Sequence, residues 1–328
     1  MKPQTFTWKK LTADELTRVY LDEMRRDFPP SELKPLSMIL NSEAVGMAHT
    51  WGVFEGETLV SYLLMVRPMG CEVSQLDYFS VLPAYRNTGI GAKLLAALPA
   101  RGLALAVCPG CDLASSAASV ALAERYDFLY AAVGFHPENL EGAALAALDQ
   151  VRALAAHPRV RAIGEIGLDY YWVKTPEARA FSRDFFDAQL SLAEELDLPA
   201  IVHDRDAHKD CLDIVRSHPN ARGVFHCCAL SLEDAKVAVD RGWMLSFTGN
   251  ITFSNARRAP EVVRWVPLDR LMLETDAPYM APEPHRGERC DSSFLPLTAA
   301  RVAQLKGLET GEVLRATLEN GKRFFNIL

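Results

Sequence analysis

The 328-residue chain has no long hydrophobic run. None reaches the roughly 18 apolar residues that a transmembrane helix needs, so we expect no membrane partner. Its N-terminal lysines are not followed by an apolar core, so we expect no signal peptide. Cysteine is scarce and odd in number, with seven residues, which predicts reduced thiols in a cytoplasmic protein. A hydrophobic fraction of 49% and a charged fraction of 23% exclude disordered and fibrous classes.

The chain also lacks net positive charge and carries −7 at pH 7. Residues 1–102 hold 11 basic and 11 acidic side chains, whereas the remainder holds 24 and 31. An acidic surface is a poor non-specific binder of duplex nucleic acid. Divalent cations can turn acidic clusters into phosphate sites, so this charge disfavours a nucleic-acid function without excluding it.

The first hundred residues predict two helices followed by an antiparallel meander. The predicted helices are 11–27 and 31–46, and the predicted strands are 50–54, 58–66 and 75–82. A loop with glycines follows the third strand and opens another helix. There Arg86, Gly89 and Gly91 are candidates for binding an anion, because glycines let backbone N–H groups approach it at a positive helix end.

From about residue 103, short apolar runs alternate with helical patterns. This alternation is typical of repeated βα units and a parallel sheet. The runs are 103–107, 129–135, 159–164, 198–202, 222–225, 243–247 and 270–275. Seven strands are one short of a closed barrel. We therefore predict an α/β protein with an incomplete TIM-like (β/α) barrel at 103–328 and an N-terminal α+β segment at 1–102.

Side chains that can bind metals follow five of the seven runs. They are His136, Glu165, His203, His226 and Asp276. In a parallel barrel these strand ends meet at one rim, where burying so many polar groups is costly without a compensating partner such as a metal. Mixed imidazole and carboxylate ligands suit zinc, iron or manganese better than calcium.

Six motifs surround these strand ends: GFHP (134–137), GEIGLDYYW (164–172), IVHDRDAH (201–208), FHC (225–227), SFTGNITFSNA (246–256) and LETDAPYMAPEPHRG (273–287). Together they closely resemble the TatD family of metal-dependent hydrolases, often called deoxyribonucleases, over about residues 103–328. The resemblance implies a TIM-like barrel and a divalent cation, expected to be Zn, Mn or Mg. It also implies phosphodiester hydrolysis, typically 3′-end trimming of DNA, without sequence specificity.

The same resemblance implies roles for individual residues. Glu165 would bridge two metals, with His203 and His226 completing one site. Asp276 would serve the other site and handle the proton of the attacking water, which makes Asp276 and Glu165 the catalytic residues. The candidates for substrate contact are His136, Arg205 and Arg286.

The chain departs from the family at its first strand. The family normally carries a His-x-His pair there, and no His-x-His occurs among the eight histidines of this sequence. We therefore predict one metal held by Glu165, His203 and His226, a second position that is weak or empty, and slow activity. HCCALS (226–231) and Cys290-Asp291-Ser292 also differ from the family pattern.

Two N-terminal segments, RDFPPSELKP (26–35) and DYFSVLPAYRNTGIGAKLL (77–95), resemble the GNAT acyltransferases. In that family R-x-x-G-x-G holds the pyrophosphate of acetyl-CoA, which would assign Arg86, Gly89 and Gly91 to cofactor binding. Only about two thirds of such a domain is present, so acetyl-CoA is not expected as a cofactor. We predict that strand 75–82 pairs in parallel with 103–108 and takes the vacant first position of the barrel.

Three functions remain open. The first is a metal-dependent phosphodiesterase or nuclease, the second an acyl-CoA-dependent N-acyltransferase, and the third a catalytically inactive fusion. The hydrolase is favoured because it has more motifs, with DNA or another phosphodiester as its substrate. The sequence does not indicate an oligomeric state.

Overall fold

The structure is a computed structural model that describes residues 6–27, 33–66, 75–85, 106–276, 279–287, 290 and 294–327. The chain divides into two units. The first consists of Met1–Ala104 and Thr275–Pro296, and the second of Leu105–Glu274 and Leu297–Leu328. The predicted anion-binding residues Arg86, Gly89 and Gly91 lie outside the described residues.

The first unit contains an antiparallel sheet of four strands in the order β1-β2-β3-β4. The strands are β1 (Thr7–Lys10), β2 (Ala48–Glu55), β3 (Thr58–Val66) and β4 (Gln75–Val81). The helices are α1 (Ala13–Val19), α2 (Arg25–Asp27), joined to α1 by a π-helical turn, and α3 (Leu36–Ala44). The predicted meander is confirmed. Strand β1 was not predicted because its four residues include two lysines and show no apolar alternation.

The helices pack on this sheet through one apolar cluster. Leu16 and Met24 from the first helical segment meet Ile39 from α3 and Tyr62 from β3, and all four are buried. The Tyr62 hydroxyl donates a hydrogen bond to the Asp27 carboxylate at 2.8 Å, so its polar end is satisfied within the core.

The second unit contains a parallel sheet of seven strands, each paired with its neighbours in sequence. The strands are β5 (Ala106–Pro109), β6 (Leu129–Val133), β7 (Val160–Asp169), β8 (Ala200–Arg205), β9 (Gly223–Phe225), β10 (Met244–Phe247) and β11 (Leu271–Leu273). All seven predicted strands are confirmed. The sheet is curled, like part of a TIM barrel.

Helices cover this sheet between and after the strands. They are α4 (Leu113–Arg125), α5 (Leu148–Ala155), α6 (Pro176–Glu195), α7 (His208–Ser217), α8 (Leu232–Asp240), α9 (Arg258–Trp265), α10 (Leu295–Lys306) and α11 (Thr310–Phe324). Among the described residues, no helix is both long and apolar enough to cross a membrane.

The sheet of the second unit forms a continuous apolar core. Val133, Ile163, Val202, Phe225 and Leu245 are fully buried on five successive strands. Parallel strands covered on both faces read as apolar runs, which is why the sequence revealed them. The few polar side chains near this core therefore stand out as candidates for function.

The predicted parallel ladder between 75–82 and 103–108 is wrong for the residues that the structure describes. Strand β4 pairs antiparallel with β3, and Ala106–Pro109 pairs with β6 in a different sheet. Among the residues that the structure describes, β5 and β11 are the edges of the seven-stranded sheet.

Candidate metal centre

Glu165 lies in the middle of β7, because this strand continues to Asp169 rather than ending near residue 164 as predicted. The pairing of β7 with β8 shifts register between Ile163 and Ile166. Such irregularities re-aim a side chain relative to the regular pleat. The Glu165 backbone N–H donates to the Gly110 carbonyl at 3.2 Å, and its side chain is only 17% exposed.

His203 on β8 is placed by a glycine on the neighbouring strand. Gly167 is the register partner of His203 and has a φ of +133°. A Cβ atom at this position would lie 2.0 Å from the carbonyl oxygen of His203. Only glycine tolerates both the backbone conformation and the close approach.

His226 follows β9 directly, and its backbone N–H donates to the Val202 carbonyl at 2.9 Å. The next residue, Cys227, has a φ of +44°, and its N–H donates to Oε1 of Glu274 at 2.7 Å. The turn after β9 is therefore anchored on a carboxylate that follows β11.

His136 is positioned by a buried glutamine on α6. The Gln189 side chain accepts from the Phe135 N–H at 2.7 Å and donates to the Phe135 carbonyl at 3.1 Å. The His136 N–H itself donates to the Cys111 carbonyl at 2.9 Å. These bonds fix the loop that follows β6.

The structure brings four of the predicted site residues together around one oxygen atom. Oε1 of Glu165 lies 3.1 Å from Nδ1 of His203, 3.4 Å from Nε2 of His226 and 3.5 Å from Nε2 of His136. The ligand atoms of His136, Glu165 and His203 all lie within 4.8 Å of one another, which makes them a group that could hold a metal ion. His226 is not one of these three residues, although its Nε2 lies 3.4 Å from the Glu165 oxygen.

The chemistry of these donors, imidazole nitrogens and a carboxylate oxygen, suits a divalent cation. Metal–ligand bonds of about 2.0–2.1 Å in a tetrahedral site separate neighbouring donors by about 3.3 Å. The Glu165 oxygen is 3.1 Å from the His203 nitrogen and 3.4 Å from the His226 nitrogen, close to that separation. Two imidazoles and a carboxylate also leave room for a water, as catalytic sites require.

The three histidines differ in the hydrogen bond made by the ring nitrogen that points away from Glu165. Nε2 of His203 faces Asp169 at 3.0 Å, and Nδ1 of His226 faces Glu274 at 2.5 Å. A carboxylate at this nitrogen accepts its N–H. The other ring nitrogen is then unprotonated and can bind a metal. His136 differs, because its Nδ1 accepts from the Glu138 N–H at 3.3 Å. Its Nε2 therefore carries the proton in the neutral ring and acts as a donor.

The hydrogen bonds and charges within the cluster favour the ionised forms of Glu165 and His203. Burial raises the pKa of Glu165, but hydrogen bonds from His136 and His203, together with the charge of His226, hold it well below its ordinary range. Burial lowers the pKa of His203, but its bonds to Asp169 and Glu165 outweigh burial and raise the pKa to about 9. Metal binding requires neutral imidazoles, so it releases protons here.

Sequence reasoning did not assign roles to Asp169, Gln189 or Glu274. Asp169 and Glu274 lie inside the quoted motifs GEIGLDYYW and LETDAPYMAPEPHRG. A carboxylate near a ligating histidine is the signal that could have found them. Gln189 lies inside a helix with no motif around it, and only the fold brings it beside Phe135.

The remaining predicted residues are Arg205, Asp276 and Arg286. Arg205 is exposed at the end of β8, two residues after His203. Asp276 and Arg286 belong to the segment Thr275–Pro296, which groups with the first unit. The catalytic role of Asp276 and the substrate role of Arg286 stay predictions.

Comparison with known proteins identifies relatives of both parts of the chain. A family model described as TatD related DNase matches residues 85–326, and a model of the acetyltransferase (GNAT) family matches residues 11–128. The chain is 39% identical over 220 residues to the uncharacterized metal-dependent hydrolase YabD of Bacillus subtilis, covering 66% of this chain and 86% of the relative.

Two further relatives agree with these matches. The uncharacterized metal-dependent hydrolase TatD of Mycobacterium tuberculosis is 34% identical over 246 residues, covering 74% of this chain and 93% of its own. The crystal structure of YJJV, a TatD homologue from Escherichia coli K12, superposes with a TM-score of 0.65 at 29% identity, covering 74% of this chain and 95% of that one. The chain carries a GNAT-like segment at its N-terminus and belongs to the TatD family of metal-dependent hydrolases.

Proposed function

We propose that the chain hydrolyses phosphodiester bonds in DNA, removing nucleotides from a 3′ end without sequence preference. The observation that carries the proposal is the single Glu165 oxygen shared by three imidazoles at 3.1–3.5 Å. The match to a family described as TatD related DNase supports the same chemistry.

The protein side chains divide the work between metal binding and substrate binding. Glu165, His203 and His226 would hold the cation, which when bound supplies a water of lowered pKa and positive charge beside the phosphoryl oxygens. Asp169 and Glu274 keep the two ligating imidazoles in the required tautomers.

Substrate binding falls to the remaining polar groups. His136 donates its Nε2 proton to a phosphoryl oxygen, consistent with the bond that Glu138 makes to its other nitrogen. Arg205 neutralises a neighbouring phosphate. Asp276, carried over from the family resemblance, accepts the proton of the attacking water.

We further propose that one metal position is filled and that the second is weak, because the His-x-His pair of the family is missing. A site with three protein ligands and a water is still a working catalytic arrangement. Turnover is therefore slow, and millimolar Mn²⁺ raises it by filling the weaker position.

The test combines elemental analysis with a nuclease assay on a 5′-labelled single-stranded oligonucleotide. Wild type is expected to carry about one divalent metal per chain and to shorten the labelled strand one nucleotide at a time. Glu165→Ala and His203→Ala lose both metal and activity, whereas Glu233→Ala, an exposed carboxylate on α8, keeps both. Two fully occupied metals per chain contradict the single-site proposal. Unchanged cleavage in His203→Ala contradicts the assignment of the site.

A second candidate is an acyl-CoA-dependent N-acyltransferase. The match of residues 11–128 to the GNAT family and the antiparallel sheet of the first unit favour it. Binding of acetyl-CoA by the full chain separates it from the hydrolase.

A further inference from the structure

The loop after β7 presents two aromatic side chains to solvent. Tyr171 is 42% exposed and Trp172 is 57% exposed, which is high for large aromatic residues. Their rings meet edge to face with centroids 4.8 Å apart. This contact supports both rings while leaving much of the Trp172 surface open.

The loop is held firmly although its side chains are exposed. The Trp172 N–H donates to Oδ1 of Asp169 at 2.7 Å, and the Val173 N–H donates to the Asp169 carbonyl at 3.0 Å. Arg179 on α6 donates to the carbonyls of Val173 and Tyr170 at 2.9 and 3.0 Å. The aromatic pair is therefore pre-organised, which lowers the entropy cost of binding a ligand.

Two exposed cations flank the aromatic pair. The Arg205 guanidinium lies 4.0 Å from the Tyr171 ring centroid, and the Lys174 ammonium lies 4.9 Å from it. Both side chains are exposed, so their charges stay available to a ligand. In a chain with a net charge of −7, this is a local cationic patch beside an open aromatic surface.

Strands β7 and β8 connect this patch to the candidate metal centre. Arg205 is two residues beyond His203 on β8, so the two side chains share a face and their Cα atoms are about 6.6 Å apart. Asp169 contacts His203 with its side chain and begins the loop that carries Tyr171 and Trp172. The Tyr170 N–H donates to the Arg205 carbonyl at 2.8 Å, which ties the loop to β8.

We propose that Tyr171, Trp172, Lys174 and Arg205 form a stacking subsite for an unpaired base of single-stranded nucleic acid, a subsite that rests on the proposed phosphodiester chemistry. The base stacks on Trp172, while Lys174 and Arg205 bind the flanking phosphates and are oriented by Tyr171. Aromatic side chains interleaved with cations are the usual platform for single strands. Duplex bases already stack on one another and offer no free face to Trp172.

Binding to a hydrolysis-resistant probe tests the subsite separately from turnover. Full-length metal-loaded protein is titrated with a ten-nucleotide phosphorothioate oligodeoxyadenylate and with the matching duplex, following tryptophan fluorescence and probe anisotropy. Single-strand binding quenches tryptophan emission in wild type. Trp172→Leu removes this quenching and weakens binding about fivefold or more.

Salt titration tests the cations. Lys174→Gln and Arg205→Gln each reduce the slope of log affinity against log salt by about 0.7, the value for one phosphate contact on a single strand. Lys236→Gln is the matched control, because Lys236 also lies over a tryptophan, Trp265, at 5.9 Å but on other helices of the second unit. This control keeps the wild-type affinity and slope.

The outcomes separate the subsite from the proposed function. Wild-type affinity and quenching in Trp172→Leu, or equally tight binding of the duplex, overturns the subsite. Hydrolysis of an unmodified oligonucleotide is assayed in parallel. If no hydrolysis is detected but binding still depends on Trp172, the proposed activity is overturned and the subsite is supported. If Trp172→Leu hydrolyses the oligonucleotide with the same KM as wild type, the subsite is overturned while the proposed activity stands.

Discussion

The three imidazoles around Glu165 differ in the group that holds their far nitrogen. His203 and His226 each face a carboxylate there, Asp169 and Glu274 respectively. His203 thereby presents Nδ1 to the site, whereas His226 presents Nε2. A carboxylate behind a ligating histidine also makes the imidazole a stronger base and a tighter ligand.

Replacing the carboxylate behind His226 should weaken metal binding. Glu274→Gln keeps the shape of the side chain but removes the charge that holds the Nδ1 proton of His226. We expect metal affinity to fall about 10- to 100-fold, measured by titrating stripped protein with Zn²⁺ or Mn²⁺. Glu261→Gln, an exposed change on α9, serves as the control. Equal affinities of Glu274→Gln and wild type would show that Glu274 does not support the ligand.

The raised pKa of His203 predicts a pH dependence of stability in protein treated with EDTA. The folded pKa is about 9 against an ordinary value of 6.5. The protonated ring therefore stabilises the fold fully below about pH 6.5, and this contribution is lost as pH rises through about 9. Its size is on the order of 3 kcal/mol.

Urea denaturation at a series of pH values measures this effect. The free energy of unfolding of EDTA-treated wild type should fall between pH 6.5 and 9, the interval set by the two pKa values of His203. His203→Gln should flatten that decline. A saturating metal should also flatten it, because a metal-bound ring carries no proton across this interval. The same decline in His203→Gln as in wild type would refute the assignment.

Strand β7 acts as one element that builds the site around His203. Glu165, Gly167 and Asp169 alternate along the strand and share one face. The two carboxylates bind opposite nitrogens of His203, and the glycine between them leaves room for the backbone of β8. Glu165 and Asp169 thus hold the His203 ring from both of its nitrogens.

A methyl group at residue 167 should displace β8. In Gly167→Ala the new Cβ meets the His203 carbonyl at 2.0 Å, and the backbone φ of +133° is strained for alanine. We expect a loss of on the order of 3 kcal/mol in the free energy of unfolding, together with loss of bound metal. Urea denaturation and elemental analysis measure the two effects.

Gly311→Ala provides the control for this change. Gly311 lies in α11, and an added Cβ would have ordinary contact with Arg315 at 3.5 Å. Alanine favours a helix over glycine, so this variant should be as stable as wild type or up to about 1 kcal/mol more stable. Wild-type stability and metal content in Gly167→Ala would show that β8 can move without losing the site.

At the scale of the whole molecule, two family matches share one chain and overlap at residues 85–128. The structure keeps their sheets separate, with four antiparallel strands in one and seven parallel strands in the other. The hydrolase cluster of Glu165 and its histidines belongs to the second unit alone.

We expect no acetyl-CoA binding at micromolar concentrations by the full chain. The cofactor would have to be held by Arg86, Gly89 and Gly91 without the strand that normally opens to admit its pantetheine arm. Isothermal titration calorimetry tests this expectation. Micromolar binding that Gly89→Glu abolishes would contradict it, and hydrolysis unaffected by the same substitution would show that the two activities are independent.

Much of the second unit could be predicted from local pattern. The apolar runs that became β5 to β11 were visible because each is buried on both faces. The motif residues Glu165, His203 and His226 were predicted as one cluster, and the structure brings them together. The position of Asp276 was predicted from the same motifs, and its role is still to be tested.

The pairing of strands could not be predicted in the same way. A strand has two edges with backbone N–H and C=O groups that need partners, and its side-chain pattern does not name the strands that supply them. The structure places β4 beside β3, and within the described part of the chain β5 is an edge of the seven-stranded sheet.

The sequence by itself determined the succession of elements, the family and the residue types of the candidate metal centre, because each depends on periodicity or motif. The tertiary structure alone decided which nitrogen of each histidine faces Glu165 and that Gln189 holds the loop before His136. It also placed Trp172 and Arg205 beside the site. These properties depend on distances between residues remote in sequence, which only folding sets.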